Sequence, residues 1–134
     1  MKAAYGVEIP ENLQELLSPK RCALIVYDMQ AGIVQQIQNG AAITDQVKQV
    51  LEAARHAGLR VFYTRHLSLP KQLMGAFQFR LAMSWQRVND PERVQPWFLR
   101  DSPAFQIVPE LQPLPGEAVF DNDVLPFFVA AALS

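Results

Sequence analysis

Asp28 ends the stretch "CALIVYDMQ" (22–30), in which six consecutive residues, Cys22 to Tyr27, are apolar or nearly so. A carboxylate at the end of such a run does one of two things. It caps the turn or helix that follows, or it acts as an acid or base whose pKa is shifted by burial. Two further sets of polar residues sit in the same kind of place. His66 follows the apolar stretch "RVFYT", and Asp121, Asn122 and Asp123 follow "AVF". If the three stretches are parallel strands sharing an end, these groups face one crevice, which is where open α/β sheets bind ligands. Taken singly, polar residues after a strand are turn formers.

The elements that must position these groups follow from the apolar pattern. Cys22–Tyr27 lacks polar alternation, which predicts a strand buried on both faces. Met29 to Gln38 fits a helix closed by Asn39-Gly40. Thr44 is a candidate N-cap. After it Val47, Val50, Leu51 and Ala54 recur at helical spacing, and Gly58 stands where a C-terminal cap glycine belongs. Residues 60–64 then read as a second strand, and strand–helix–strand in this order is a right-handed parallel unit. Residues 66–105 form a long, turn-rich excursion with one or two helices, and long excursions are commonly functional. Pro115-Gly116 makes a turn into a third strand, Ala118–Phe120. Residues 1–20, broken by Pro10 and Pro19, read as an N-terminal arm with a helical patch at Leu13 to Leu17. Residues 21–134 are the domain proper.

Composition narrows the function classes. The chain has 134 residues, half of them hydrophobic, with 12 Lys and Arg against 13 Asp and Glu. That is one ordinary globular domain with no clustered basic charge to recommend nucleic acid or an acidic membrane surface. No apolar run approaches the length of a membrane span, and the N-terminus has no apolar leader. A cytoplasmic setting is the expectation. The single cysteine excludes an internal disulfide. It opens the first strand, six residues before Asp28, which is roughly 20 Å at strand rise. Cys22 is therefore expected as a small core residue, not as a nucleophile beside Asp28. His56, near a helix C-terminus, is structural. The aromatic residues Phe77, Phe79, Trp85, Trp97 and Phe98 wall a pocket or, more commonly, fill a core or an interface. Arg80, Arg87 and Arg100 read as solvated, although a guanidinium can hold a carboxylate.

At this point three segments carry a resemblance. "ALIVYDMQAGIV", "VFYTRH" and "SPAFQIVPELQPLPGEAVFDND" resemble, in order, the segments of the first three strands of the isochorismatase-like cysteine hydrolases. The resemblance implies a three-layer α/β/α, doubly wound, Rossmann-like parallel sheet with strand order 3-2-1-4-5-6, here incomplete with about three strands. It also implies the chemistry of that family. An Asp after the first strand serves as base to a nucleophilic Cys, a Lys after the third strand holds negative charge, and the Cys attacks a carbonyl, most often of an amide. Asp28 matches the Asp. The Lys position falls on Asn122, an amide in place of a cation. Pro126, Phe127 and Phe128 stand where Ser-Ala-Phe is usual, and Ala130 and Ala131 where Gly-Thr is usual. The segment that would carry the nucleophile, after a fourth strand, has no counterpart here. Gln30 and His66 are the residues expected to contact substrate.

The expectation is thus a hydrolase of small amides or related substrates, with this chain alone inactive, no cofactor and no metal. The zinc-binding relatives' His-rich spacing after the first Asp does not occur. The alternative is a non-catalytic relic or interaction protein keeping part of the fold. A phosphoacceptor receiver domain is a weaker third reading, because Tyr27 occupies the place of its second acid. With three strands in the order 3-2-1 the first strand would be an edge. The expected partners, besides a small-molecule substrate, are a second copy of the chain or a protein that supplies a strand there.

Overall fold

The computed structural model describes residues 1–122; Asp123, Pro126, Phe127, Phe128, Ala130 and Ala131 lie outside the described residues. Three parallel strands form its sheet: β3 (Ala23–Tyr27), β4 (Arg60–His66) and β5 (Ala118–Asn122), side by side in the order β3-β4-β5. The third strand thus neighbours the second and the second neighbours the first, as the order 3-2-1 requires. Helix α3 (Gly40–His56) makes the crossover from β3 to β4. The sheet pairs Val26 with Tyr63 and Tyr27 with Thr64, then Thr64 with Phe120 and His66 with Asn122. Side chains alternate between faces along each strand. One face therefore carries Val26, Val61 and Tyr63, all buried against Leu51 of α3 and against Ile107, Val108 and Leu111. Each such aliphatic side chain withdrawn from water contributes about 1.5–3 kcal/mol.

The first strand departs from its predicted burial. Among the described residues β3 is an edge strand; Ile25 and Tyr27, on the face away from α3, are exposed, and Val26 is its one fully buried residue. An apolar run without alternation does not distinguish a strand covered on both faces from one whose second face is open. Cys22 is also not a core residue. It precedes the strand, is partly exposed, and its thiol donates to the carbonyl of Leu16.

Helix boundaries moved for identifiable reasons. Only Ala31–Val34 of the segment after Asp28 is helical (α2). Gly32 sits where a side chain has no room: a Cβ there would lie 2.7 Å from the Ala104 Cβ and 2.9 Å from Phe98. Close approach to residues 98–104, and not helix propensity, shapes this segment. Helix α3 begins at Gly40, four residues before Thr44. Thr44 is not its N-cap but a buried interior residue whose hydroxyl donates to the Gly40 carbonyl. Val50 faces solvent, while Val47, Leu51 and Ala54 form the inner stripe. The other end is as predicted. Gly58 has φ +78°, its N–H donates to Arg55, and the Leu59 N–H donates to Ala54. Those two bonds define a Schellman cap, for which glycine carries no Cβ penalty.

The excursion contains one α-helix, α4 (Ala76–Gln86), and several short 3-10 turns. The N-terminal arm holds the short helix α1 (Leu13–Leu16), capped by Asn12. It also holds a hairpin of β1 (Lys2–Ala4) and β2 (Val7–Ile9), turned at Tyr5-Gly6 with both φ angles positive. Positive φ at both turn positions suits two-residue hairpins, but Tyr at the first is an unusual occupant, and the strands are three residues long. The alternation was too short to read.

One ion pair locks α3 to the turn before β5. The Arg55 guanidinium donates to both carboxylate oxygens of Glu117 (2.6 and 3.0 Å), to the Tyr63 hydroxyl and to the Gln112 carbonyl. Glu117 also accepts from the Leu114 N–H. Its side chain is 12% exposed, and the Arg55 guanidinium holds its carboxyl below the usual glutamate range. A depressed folded-state pKa adds stability that is present above the unfolded value of about 4.3 and is lost as pH falls through the folded value. Glu117→Gln is expected to cost about 1–3 kcal/mol at pH 7. The gap from the parent should close on titration below pH ~4. Urea denaturation from pH 7 down to pH 2 checks this, and a gap that does not narrow as pH falls contradicts it.

Candidate functional site

The carboxyl ends of the three strands open onto a crevice of about 770 Å³. Asp28, His66 and Asn122 all line it, so the three strand-end groups are brought together as the shared-end arrangement requires. Its walls are largely apolar: Phe77, Leu81 and Trp85 from α4 on one side, Trp97 and Phe98 from the excursion, and Met29, Ile33 and Ile37 beyond β3. Four of the five aromatic residues singled out in residues 66–105 thus wall the crevice; Phe79 does not. No lysine or arginine lines it among the described residues.

Asp28 is set by its backbone. It leaves β3 at φ +49°, the left-handed region that Asp tolerates better than most residues. Its N–H donates to both the carbonyl and the hydroxyl oxygen of Thr64, and the Thr64 hydroxyl donates to the Asp28 Oδ1 at 2.7 Å. Thr64 is buried and was not anticipated as a site residue; its position opposite Tyr27 in the register is the signal that identifies it. Asp28 makes no cap: α2 begins after Gln30, with no side-chain bond to its N-terminus. Burial pushes the Asp28 carboxyl above the usual aspartate range, opposed by the Thr64 hydrogen bond and by His66. The nearby Asp28 charge adds to the effect of burial in raising the Tyr27 phenol.

Gln30 has a different place from the one expected for a substrate contact. It is fully buried and does not line the crevice. Its carboxamide accepts from the His66 N–H (2.7 Å) and donates to the carbonyls of His66 (2.9 Å) and Phe105 (2.8 Å). The side chain behaves as a peptide group: it prolongs the β3–β4 ladder by one pairing and fastens it to the turn at Pro103–Phe105. Gln30 is therefore a positioning residue for His66.

His66 packs edge-on against Trp85 and Phe98, with ring centroids 5.4 Å away in each case. Asn122 is held at the end of β5, and its Oδ1 is buried with no hydrogen-bond partner among the described residues. Asp121, its neighbour, points to the other face and binds Arg65 (2.6 Å) and Arg100 (2.8 Å). Arg100 is thus in an ion pair, while Arg80 and Arg87 are exposed as expected. His56 is exposed on the last turn of α3. Cys22 lies before the opposite end of β3 from Asp28 and takes no part in the crevice. Among the described residues no group of three or more His, Cys, Asp or Glu is placed to hold a metal ion, and no helix is long and apolar enough to cross a membrane.

Comparison with known proteins gives a consistent picture. The family model for the isochorismatase domain matches residues 22–133. A Chromobacterium violaceum structure described as a hydrolase of the isochorismatase family superposes with a TM-score of 0.55 at 20% identity, covering 83% of this chain and 49% of that one. A cysteine hydrolase from Pseudomonas syringae pv. phaseolicola gives 0.54 at 25% identity over 79% and 48%. An isochorismatase from Pseudomonas putida gives 0.50 at 21% over 85% and 52%. The chain spans about half the length of these structures.

Two substitutions test the geometry. Asp28→Asn keeps an acceptor for Thr64 and tolerates the left-handed backbone. A carboxyl with a raised folded-state pKa contributes stability that is complete below the unfolded pKa of about 3.9 and is lost as pH rises through the folded value. The variant should match or exceed the parent's melting temperature at pH 7, with the difference vanishing near pH 3; a clearly lower value at pH 7 would show that Asp28 is held charged. Gln30→Glu leaves an acceptor for the His66 N–H but turns its second oxygen toward two carbonyls. That oxygen must carry a proton, so the variant should lose stability by about 1.4 kcal/mol per pH unit above pH ~4.5 until its folded pKa is reached. The control Gln30→Leu strands three backbone groups, one buried and two part-buried, and should cost about 2 kcal/mol or more at every pH. Equal pH profiles for the two variants would refute the pairing.

Proposed function

The chain belongs to the isochorismatase family, and from that premise we propose that its crevice is the substrate site of a cysteine-hydrolase reaction on a small amide, cleaving a C–N bond. The observation that carries the reading is Asp28 at the crevice. It is a carboxyl partly buried, oriented by Thr64 and readier than a solvated aspartate to hold a proton. Such a group suits proton transfer in both directions. In the reaction of this family the carboxylate takes the proton of a thiol as sulfur bonds to the carbonyl carbon. The proton passes to the leaving amine as the C–N bond breaks, and water then hydrolyses the thioester.

This chain brings the carboxyl and the binding walls to that reaction, but not the thiol. Its single cysteine, Cys22, is on the far side of β3 from Asp28. The family's cation is also replaced by Asn122. By itself the chain is therefore proposed to be inactive, since losing one member of a catalytic unit removes most of the rate. Those same two features favour a second reading, in which the chain binds a small molecule at the crevice without turning it over. Purified chain is expected to release no ammonia or amine from a panel of small amides, and no product from isochorismate, above the uncatalysed rate. Turnover that disappears in Asp28→Ala would overturn the proposed inactivity. Binding of an amide without turnover, unaffected by adding a cysteine-bearing partner segment, would favour the second reading.

A further inference from the structure

We infer that the crevice selects a neutral ligand with a flat apolar body, whose polar end donates a hydrogen bond to Asn122 Oδ1, and that it rejects the corresponding carboxylate. The inference deepens the proposed function and rests on the same crevice being the ligand site. Three observations carry it.

The first is the orphan acceptor. Asn122 Oδ1 is buried without a partner among the described residues, and an unsatisfied buried acceptor costs about 1–3 kcal/mol. Native interiors satisfy such atoms, so a ligand N–H or O–H that reaches it from the crevice, which Asn122 lines, removes a standing penalty. A carboxylate has no hydrogen to give. Its oxygen would instead meet the Asn122 oxygen or need the amide turned about.

The second is the missing cation. Arg65 and Arg100, which reach the residue next to Asn122, are both committed to Asp121, which alternation turns to the opposite face. The crevice itself offers no lysine or arginine among the described residues. A carboxylate entering a largely apolar site without a partner loses its hydration and recovers little. Asp28 adds a negative charge whenever it is ionised, and its raised pKa already records how poorly this site tolerates one.

The third is the shape of the walls. Trp85, Trp97, Phe98 and Phe77 line the crevice with aromatic rings, and aromatic pairs in offset or edge-on contact gain beyond the area they bury. His66 already meets Trp85 and Phe98 edge-on.

The test uses benzamide and benzoate as probes, which share a ring and differ in charge and in donors. The chain's two tryptophans, Trp85 and Trp97, both line the crevice. Their indole N–H signals in 1H–15N NMR therefore report occupancy directly and confirm folding in each variant. At pH 8, above the ordinary imidazole range, benzamide should shift both signals and bind at least tenfold more tightly than benzoate. Asn122→Leu should weaken benzamide by tenfold or more. Asn122→Lys should bring benzoate to parity with benzamide or beyond, a gain that misfolding cannot produce. Benzoate bound as tightly as benzamide by the parent, binding of neither probe, or benzamide affinity unchanged in a folded Asn122→Leu would each overturn the inference. Because the readout is binding, it separates from the hydrolase reading. Benzamide bound in the presence of a cysteine-bearing partner segment yet never hydrolysed would count against hydrolysis alone. Hydrolysis confined to anionic amides would count against neutral selection alone.

Discussion

The site depends on how one buried side chain closes the sheet. Parallel strands end with N–H and C=O groups that need partners, and an unpaired buried pair costs several kcal/mol. At the end of β4 that need is met by Gln30, whose carboxamide imitates a strand backbone toward His66 and reaches the Phe105 carbonyl with the same nitrogen. The chain can then leave β3 in a left-handed turn at Asp28 without abandoning its neighbour. Two consequences meet in the crevice: the carboxyl of Asp28 comes over Thr64, and the His66 ring is presented to the aromatic wall. Without the amide Asp28 would keep only Thr64 and His66 only its pairing with Asn122.

Charge in the crevice is settled by what stands opposite. A cation at the end of β5 would draw the Asp28 carboxyl downward and welcome anions. An amide at that position does neither. Burial is left as the largest influence on Asp28, and the hydrogen bond from Thr64 with the nearby His66 only moderates it. Residue 122, an amide, adds no charge to the crevice and leaves burial to dominate at Asp28. The two arginines that might have altered this are drawn off by Asp121, one position earlier and on the other face.

Much of this was legible in the sequence where the signal is local. Apolar runs located all three strands to within two residues, Gly58 marked a helix end because only its backbone freedom suits the cap, and one polar residue after each run, Asp28, His66 and Asn122, reached one crevice. What was not legible depends on distant partners. Gln30 looked like a pocket residue because nothing nearby in sequence shows that its acceptors lie 36 and 75 positions away. Thr64 looked like one more β-branched strand residue until its register put it beneath Asp28. Thr44 resembled a cap because threonine suits both a cap and a back-bonded interior position, and only the helix's true start at Gly40 separates them. The exposed second face of β3 was hidden because an apolar run does not state what covers it.

The sheet's wiring has a kinetic side as well. Thr64 meets Asp28 across 36 positions, Arg65 meets Asp121 across 56, and Gln30 meets Phe105 across 75. No strand of this sheet pairs with a neighbour through a tight turn; only the exposed Tyr5-Gly6 hairpin does that. Each closure must pay chain entropy before any contact rewards it. Helix α3, whose contacts are local, can form within microseconds. The crevice waits for the long loops closed by Gln30 on Phe105 and by Met29 on Val108. During refolding the helical signal should therefore recover well before the environment of Trp85 and Trp97 does, and the ligand site should be the last part of the molecule to come into being.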